Sequence, residues 1–499
     1  MTHTDTAPAQ FFGHPRGLAT LFFTEFFERF SYYGMRALLV LFLTASLAKG
    51  GLGVDNKTAG AIYGIYTGAV YLFALPGGWI ADRLLGQRKS VWYGGIMIAL
   101  GHFMMATPIT EMFYLGLLMI ALGTGLLKPN ISAIVGDLYR GQPGARRDAG
   151  FSLFYMGINL GGALAPLVSG TIGETLGYHW GFLTAGVAML IGLFQYRMTS
   201  HYLGDAGLLP KSSTPAERRR SGQWLLGGLS ILAITIASIL AGFISINAAQ
   251  VANTMGQVML VCAVGFFGSV LLWGGLEAAE KKRVLVIIVF FLCAALFWAG
   301  FEQAATTFNL FARDLTDRSL FGGWFEGHQH PTSWYQTINS LYIILLSPFF
   351  AWLWIALGRR HLDPSAPLKF GFGLILLGLG FAVLIGAAQL ILSTGGKVGP
   401  QWLLLTYLLH TCGELCLSPI GLSNVTKLAP TRFASQMMGT WFLGAAIGNL
   451  VAGLIGGEIG SEVATMPTEF THMTLIGVGA GAVVLLATPI LRRWMGPIH

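Results

Sequence analysis

Charge is scarce in this chain. Only 10% of its 499 residues are Asp, Glu, Lys or Arg, whereas soluble domains carry about a quarter. That shortage excludes a single compact core wrapped in a charged surface. Cysteines number four (Cys262, Cys293, Cys412 and Cys416), all within apolar runs, so they read as small buried hydrophobes. There is no Walker loop and no HExxH pair, which argues against ATP-driven transport and metalloprotease chemistry. Glycine-rich strings do occur, but in apolar helices, where small residues serve packing. The short alternating segments of a β-barrel are also missing. The N-terminus, MTHTDTAPAQFFGHPR, has neither a basic n-region nor a cleavage site, and it reads as a short polar tail.

Long apolar runs are what the chain has in excess; 54% of it is hydrophobic. Runs of about 20 residues read as transmembrane helices, in which the backbone satisfies its own polar groups. Fourteen spans are expected, near 18–48, 58–81, 90–108, 112–136, 149–173, 178–198, 223–246, 254–277, 284–312, 334–357, 369–394, 401–427, 434–458 and 472–491. An even number puts both termini on one face. Of the 30 basic residues, 22 fall in loops on that face, five on the other and three (Arg29, Arg36, Lys128) inside spans. The bias places both termini in the cytoplasm and accounts for the formal charge of +8 without a nucleic-acid partner.

The expected organisation is an N-terminal tail (1–17), a six-helix bundle (18–199), a cytoplasmic linker (200–222), an inserted transmembrane hairpin (223–283) and a second six-helix bundle (284–499). The spans of the hairpin are nearly free of ionisable groups. GGWIADRLLGQRK (77–89) and AWLWIALGRR (351–360) form a weak repeat. Doubled halves around a midplane site are a common transporter plan.

TEFFERFSYYGMR (24–36) puts Glu25, Glu28, Arg29 and Arg36 inside the first span. With Glu25 at 0° on an ideal helix, Arg36 falls at about 20°, Arg29 at about 40°, Tyr32 at about −20° and Glu28 at about −60°. All four charges share one face, and phenylalanines cover much of the other. Each central charge costs about 2.5–3.5 kcal/mol to insert, so this face must line a cavity or the bundle interior. Mutual neutralisation that only locks helices together is the bland reading; a pathway is the other. Lys128, in GTGLLKPNIS, either snorkels to the cytoplasmic side or joins the charged set. Glu302 and Glu414 are lone carboxylates in spans, and each calls for a cationic partner or a proton. Three in-span cations face four in-span carboxylates. Protonation of one Glu restores balance, which suggests a proton-coupled switch. In HTCGELC (410–416) the His410/Glu414 face lies about 200° from the Cys412/Cys416 face, so no metal site is expected.

EFFERFSYYG (25–34) resembles the ExxERFxYYG signature of the proton-dependent oligopeptide transporters, a branch of the major facilitator superfamily. FYMGINLGG (154–162) resembles that family's FYxxINxG signature, and DRLLGQRK (82–89) is similar to the superfamily's loop motif. The resemblance covers essentially the whole chain. It implies an all-α membrane protein of the major facilitator fold, two six-helix bundles rocking about a central site, with a two-helix insert. It implies import of di- and tripeptides with protons, by a monomer in the cell membrane (the inner membrane in a Gram-negative source), without a cofactor. Among site residues, Arg36 and Lys128 resemble the basic pair for the peptide carboxylate, and Glu414 the acid for its amine. Asn159 and Asn339 resemble backbone-binding asparagines. Tyr32, Tyr33, Tyr71, Ser418 and Trp441 resemble pocket residues. Glu25, Glu28 and Arg29, with Lys128, match the coupling set. Arg36 with Glu302 resembles an outer gate, and Lys128 with Glu414 an inner one. Asn159 and Asn339 also read as interhelical glue, and Tyr71 and Trp441 as packing or interface aromatics. Relatives carry nitrate and other solutes, but an acid at Glu414 would repel nitrate.

Overall fold

The computed structural model describes residues 10–142, 144–208, 214–325, 327–458 and 463–496. Helix dominates, as apolar runs without water require. The helices in chain order are α1 (Gly17–Thr44), α2 (Asn56–Leu72), α3 (Ala74–Ile80), α4 (Gln87–Met105), α5 (Thr110–Leu138), α6 (Gly144–Ala165), α7 (Thr171–Leu176), α8 (Tyr178–Thr199), α9 (Pro215–Leu240), α10 (Ala248–Trp273), α11 (Ala278–Phe301), α12 (Thr307–Asp314), α13 (Thr337–Arg359), α14 (Ala366–Thr394), α15 (Gln401–Leu428), α16 (Ala434–Glu458) and α17 (Met466–Met495). Among the described residues, twelve helical stretches are long and apolar enough to cross a membrane. The two further long helices are α1, which carries four charges, and α4, which opens on Gln-Arg-Lys.

The chain forms two compact units, residues 1–35 with 72–247 and residues 36–71 with 248–499. The division falls inside α1, so Glu25, Glu28 and Arg29 belong to the first unit and Arg36 to the second.

In the first unit, α4 and α5 pack backbone to backbone. A Cβ on Gly94 would sit 2.6 Å from the Gly123 carbonyl oxygen, and one on Gly101 2.7 Å from that of Gly116. Small residues at this spacing allow the close approach. Of the expected tail, residues 1–9 lie outside the described part. Residues 10–16 form a two-stranded turn, Gln10–Phe11 against His14–Pro15; His14 Nδ1 hydrogen-bonds the Tyr139 hydroxyl at 2.8 Å. In the expected linker, residues 209–213 are likewise outside. Arg88 donates to the carbonyls of Ala206 (2.7 Å) and Gly204 (2.5 Å), which ties the DRLLGQRK loop to the segment after α8. Gly86 there takes φ 77°, a left-handed conformation open to glycine.

In the second unit an aromatic core gathers around α11, α14 and α15, with Phe290 stacked on Phe370 at 4.3 Å. Here α2 meets α16 through glycines. A Cβ on Gly60 would lie 2.3 Å from the Gly453 carbonyl oxygen, and one on Gly457 2.7 Å from that of Asn56. The apolar span expected over 284–312 is interrupted: α11 ends at Phe301, a 3-10 turn runs Glu302–Ala305, and α12 resumes at Thr307. No proline causes the break. Side chains bond the backbone there: Gln303 donates to the Ala299 carbonyl at 3.2 Å and the Thr306 hydroxyl to the Gln303 carbonyl at 3.5 Å. By contrast, α5 and α15 continue through Pro129 and Pro419. Cysteines are less uniform than expected: Cys293 and Cys416 are buried, Cys412 is intermediate, and Cys262, on α10, is exposed.

Candidate functional site

The first unit carries a buried charged cluster built on α1. Glu25, Glu28 and Arg29 are each buried to within 4% of full enclosure. Arg29 grips Glu28 with two nitrogens: Nη2 donates to Oε1 at 2.6 Å, and Nε to Oε2. The same Nε lies 3.4 Å from Glu25 Oε1, one helical turn back. Two carboxylates therefore share one guanidinium. The second oxygen of Glu25 has no hydrogen-bond partner among the described residues. The Arg29 guanidinium also lies over the Tyr32 ring at 4.8 Å, and Tyr32 meets Tyr33 edge-on at 5.3 Å. Lys128, half-buried on α5, is within electrostatic reach of Arg29, Tyr33, Glu28 and Glu25. Asn159 on α6 is buried and donates to the Tyr155 carbonyl of its own helix at 3.0 Å. Close packing seats α6 on α1, since a Cβ on Gly161 would fall 2.4 Å from the Phe26 carbonyl oxygen.

Arg36, in the second unit, is part of a different set. Its Nη2 pairs with Glu302 Oε2 at 2.6 Å, and its Nε donates to the Tyr63 hydroxyl at 2.9 Å. That hydroxyl donates in turn to Glu302 Oε2 at 3.0 Å. Nearby, Asn309 on α12 donates to the Ala37 carbonyl at 2.9 Å. Arg313 bonds the Thr44 hydroxyl at 2.7 Å. The broken stretch after α11 is thus fastened to the second half of α1 at three levels. Tyr63 is absent from the residues expected from sequence. An aromatic in an apolar span gives no charge to balance, so only the structure reveals it.

Glu414 on α15 is a second buried carboxylate of this unit. Asn339 on α13 donates to its Oε2 at 3.1 Å and lies 3.1 Å from the Thr411 hydroxyl. One turn on, the Ser418 hydroxyl has no hydrogen-bond partner among the described residues. His410 is occupied with the Leu377 carbonyl at 3.0 Å. Trp441 is buried against Phe370, at 6.2 Å between rings, and over Gly421, where a Cβ would collide with the indole at 2.0 Å. Tyr71, near the end of α2, is half-buried.

A family model described as PTR2, the POT family, matches residues 88–466. The chain is 44% identical over 507 residues to the peptide transporter YePEPT of Yersinia enterocolitica, covering 99% of this chain and 98% of that one. It is 38% identical over 514 residues to a di-/tripeptide transporter of Lactococcus lactis, covering 100% of both. Its fold is similar to a crystal structure of the peptide transporter POT in complex with sulfate, with a TM-score of 0.90 and 40% identity, over 98% of this chain and 97% of that one.

Proposed function

Because the chain belongs to the POT family of peptide transporters, we propose that it is a proton-coupled symporter that imports di- and tripeptides. It is a multi-pass membrane transporter and not an enzyme. A short peptide is a zwitterion whose termini lie a nearly constant distance apart for a given length. In this reading Arg36 and Lys128 receive the carboxylate, and Glu414 the amine. Asn159 and Asn339 hydrogen-bond the peptide backbone. Tyr32, Tyr33, Tyr71, Ser418 and Trp441 line a pocket tolerant of side chains. Binding draws two bundles together by alternating access, with Arg36–Glu302 and Lys128–Glu414 as gates. The layout is fourteen spans, the two bundles plus the inserted hairpin (α9 and α10), with both termini in the cytoplasm. The protein works as a monomer in the cell membrane, driven by the proton gradient without a cofactor.

One observation carries the proton coupling. Two buried carboxylates share Arg29, and Glu25 keeps an oxygen with no hydrogen-bond partner among the described residues. In this reading the coupling proton is taken up within the set of Glu25, Glu28, Arg29 and Lys128. The test is uptake of labelled dialanine into proteoliposomes under an imposed pH gradient or a sodium gradient. Proton-driven uptake is expected. Glu25→Gln and Glu28→Gln should lose it while retaining counterflow. Uptake driven by sodium alone, or full coupling in both variants, overturns the reading.

A further inference from the structure

We propose that Tyr63 is a positioning residue for the Arg36–Glu302 pair, a neutral hydroxyl that holds the two charges in register while that end of the molecule is closed. The inference rests on the reading of Arg36–Glu302 as a gate. Three elements meet at this point: α1 brings Arg36, α2 brings Tyr63, and the 3-10 turn after α11 brings Glu302. Tyr63 is fully enclosed at 0% exposure, and the two charged residues are at 7% each.

A buried ion pair repays its desolvation only if geometry is good and the remaining hydrogen-bonding capacity is satisfied. Tyr63 contributes to both halves of that requirement. Its oxygen accepts from Arg36 Nε at 2.9 Å while its proton goes to Glu302 Oε2 at 3.0 Å. A hydroxyl can accept from a guanidinium and donate to a carboxylate at once without adding charge. Neither a second cation nor a second acid could do so. A charged residue in its place would pair permanently with one member and leave the other exposed when the gate opens.

The position of the hydroxyl is fixed from behind. Tyr63 lies on α2 between Gly60 and Gly64, and both glycines are pressed against the α16 backbone. A Cβ on either would come within 2.8 Å of the Gly453 or Leu450 carbonyl oxygen. The ring therefore has little freedom to retreat while α2 stays on α16. When α2 parts from α16 the hydroxyl leaves with it, and the pair loses its third member in the same motion.

The test reads the opening directly. Spin labels are placed at Lys49 and Ala464, both exposed and both in the second unit, in a background lacking the native cysteines and in lipid nanodiscs. Distance distributions are compared for the parent, Tyr63→Phe, Glu302→Gln and the double variant. Phe keeps the ring and removes only the hydroxyl. Tyr63→Phe is expected to raise the long-distance population by about threefold or more. In the Glu302→Gln background it should add nothing further, since the effect runs through the pair. A parent-like distribution in Tyr63→Phe overturns the proposal. So does an equal additional rise in the double variant. The readout needs no transport, so failure of dialanine uptake by the parent would count against the proposed function alone. Unchanged distances in Glu302→Gln would remove the gate, and this proposal with it.

Discussion

The role proposed for Glu414 is to identify a peptide's amine by charge. The carboxylate is buried, with an amide donor at 3.1 Å, and exchanging it for Gln preserves the shape and most of the hydrogen bonding. Glu414→Gln should therefore raise the KM for dialanine at least tenfold. N-acetyl-dialanine, which has no cationic amine, should compete equally with labelled dialanine in parent and variant. Retained preference for the free amine would exclude Glu414 as the acidic pole. At this scale the sequence was informative wherever charge was misplaced. Arg36 and Glu302 each called for a partner because each is an ion with no business in hydrocarbon, and the resemblance to the family's outer gate matched them to one another. The 3.6-residue period already put Glu25, Glu28 and Arg29 on one face. Tyr63 left no such trace, and neither did the exposure of Cys262, because neutral side chains in apolar runs look alike until their neighbours are known.

Helix ends and interruptions were harder to read than helices. The span expected from residue 223 begins eight residues earlier, at Pro215. The signal was present: Thr214 and Glu217 form a reciprocal capping box, with Pro at the first helical position. The Glu-Arg-Arg-Arg run that follows resembles a solvated loop and concealed it. The break at 302–306 had only a run of polar side chains to announce it. Contacts between elements are less legible still, and the α2–α16 seam shows why. Its glycines are spaced by four, as many transmembrane glycines are, and the partner helix lies some 390 residues away in sequence. Gly60→Leu should destabilise the protein by about 1–3 kcal/mol, seen as a lower thermal unfolding midpoint in detergent. Gly227→Leu, on α9 where nothing lies within 4 Å of the added Cβ, should leave the midpoint at or above that of the parent. Equal effects at the two positions would refute a seam built on close backbone approach.

For the molecule as a whole, composition was the strongest guide, since scarcity of charge and surplus of apolar runs fix the solvent. The proposed sidedness rests on 22 basic residues against five. It predicts that a cysteine at Lys49 reacts with an impermeant maleimide in intact cells, whereas cysteine tags at either terminus react only after the membrane is opened. Labelling of one terminus from outside would require an odd number of spans. That the four charges serve two sites, Glu25, Glu28 and Arg29 in one and Arg36 with Glu302 in the other, was legible through the resemblance to the family's motifs, whereas the point of division along α1 was not.

The Arg36–Glu302 pair also has a place in time. Glu302 is 266 residues downstream of Arg36, and Tyr63 only 27. At about 5–20 residues per second of synthesis, the carboxylate leaves the ribosome roughly 13–53 s after the guanidinium, and the hydroxyl after roughly 1–5 s. Arg29 has Glu28 and Glu25 from the outset, so its stretch of α1 reaches the bilayer with its cation already paired. Arg36 does not. During biogenesis it must wait in the membrane with a tyrosine for company, and it meets the carboxylate it pairs with only when the second half of the protein has been made.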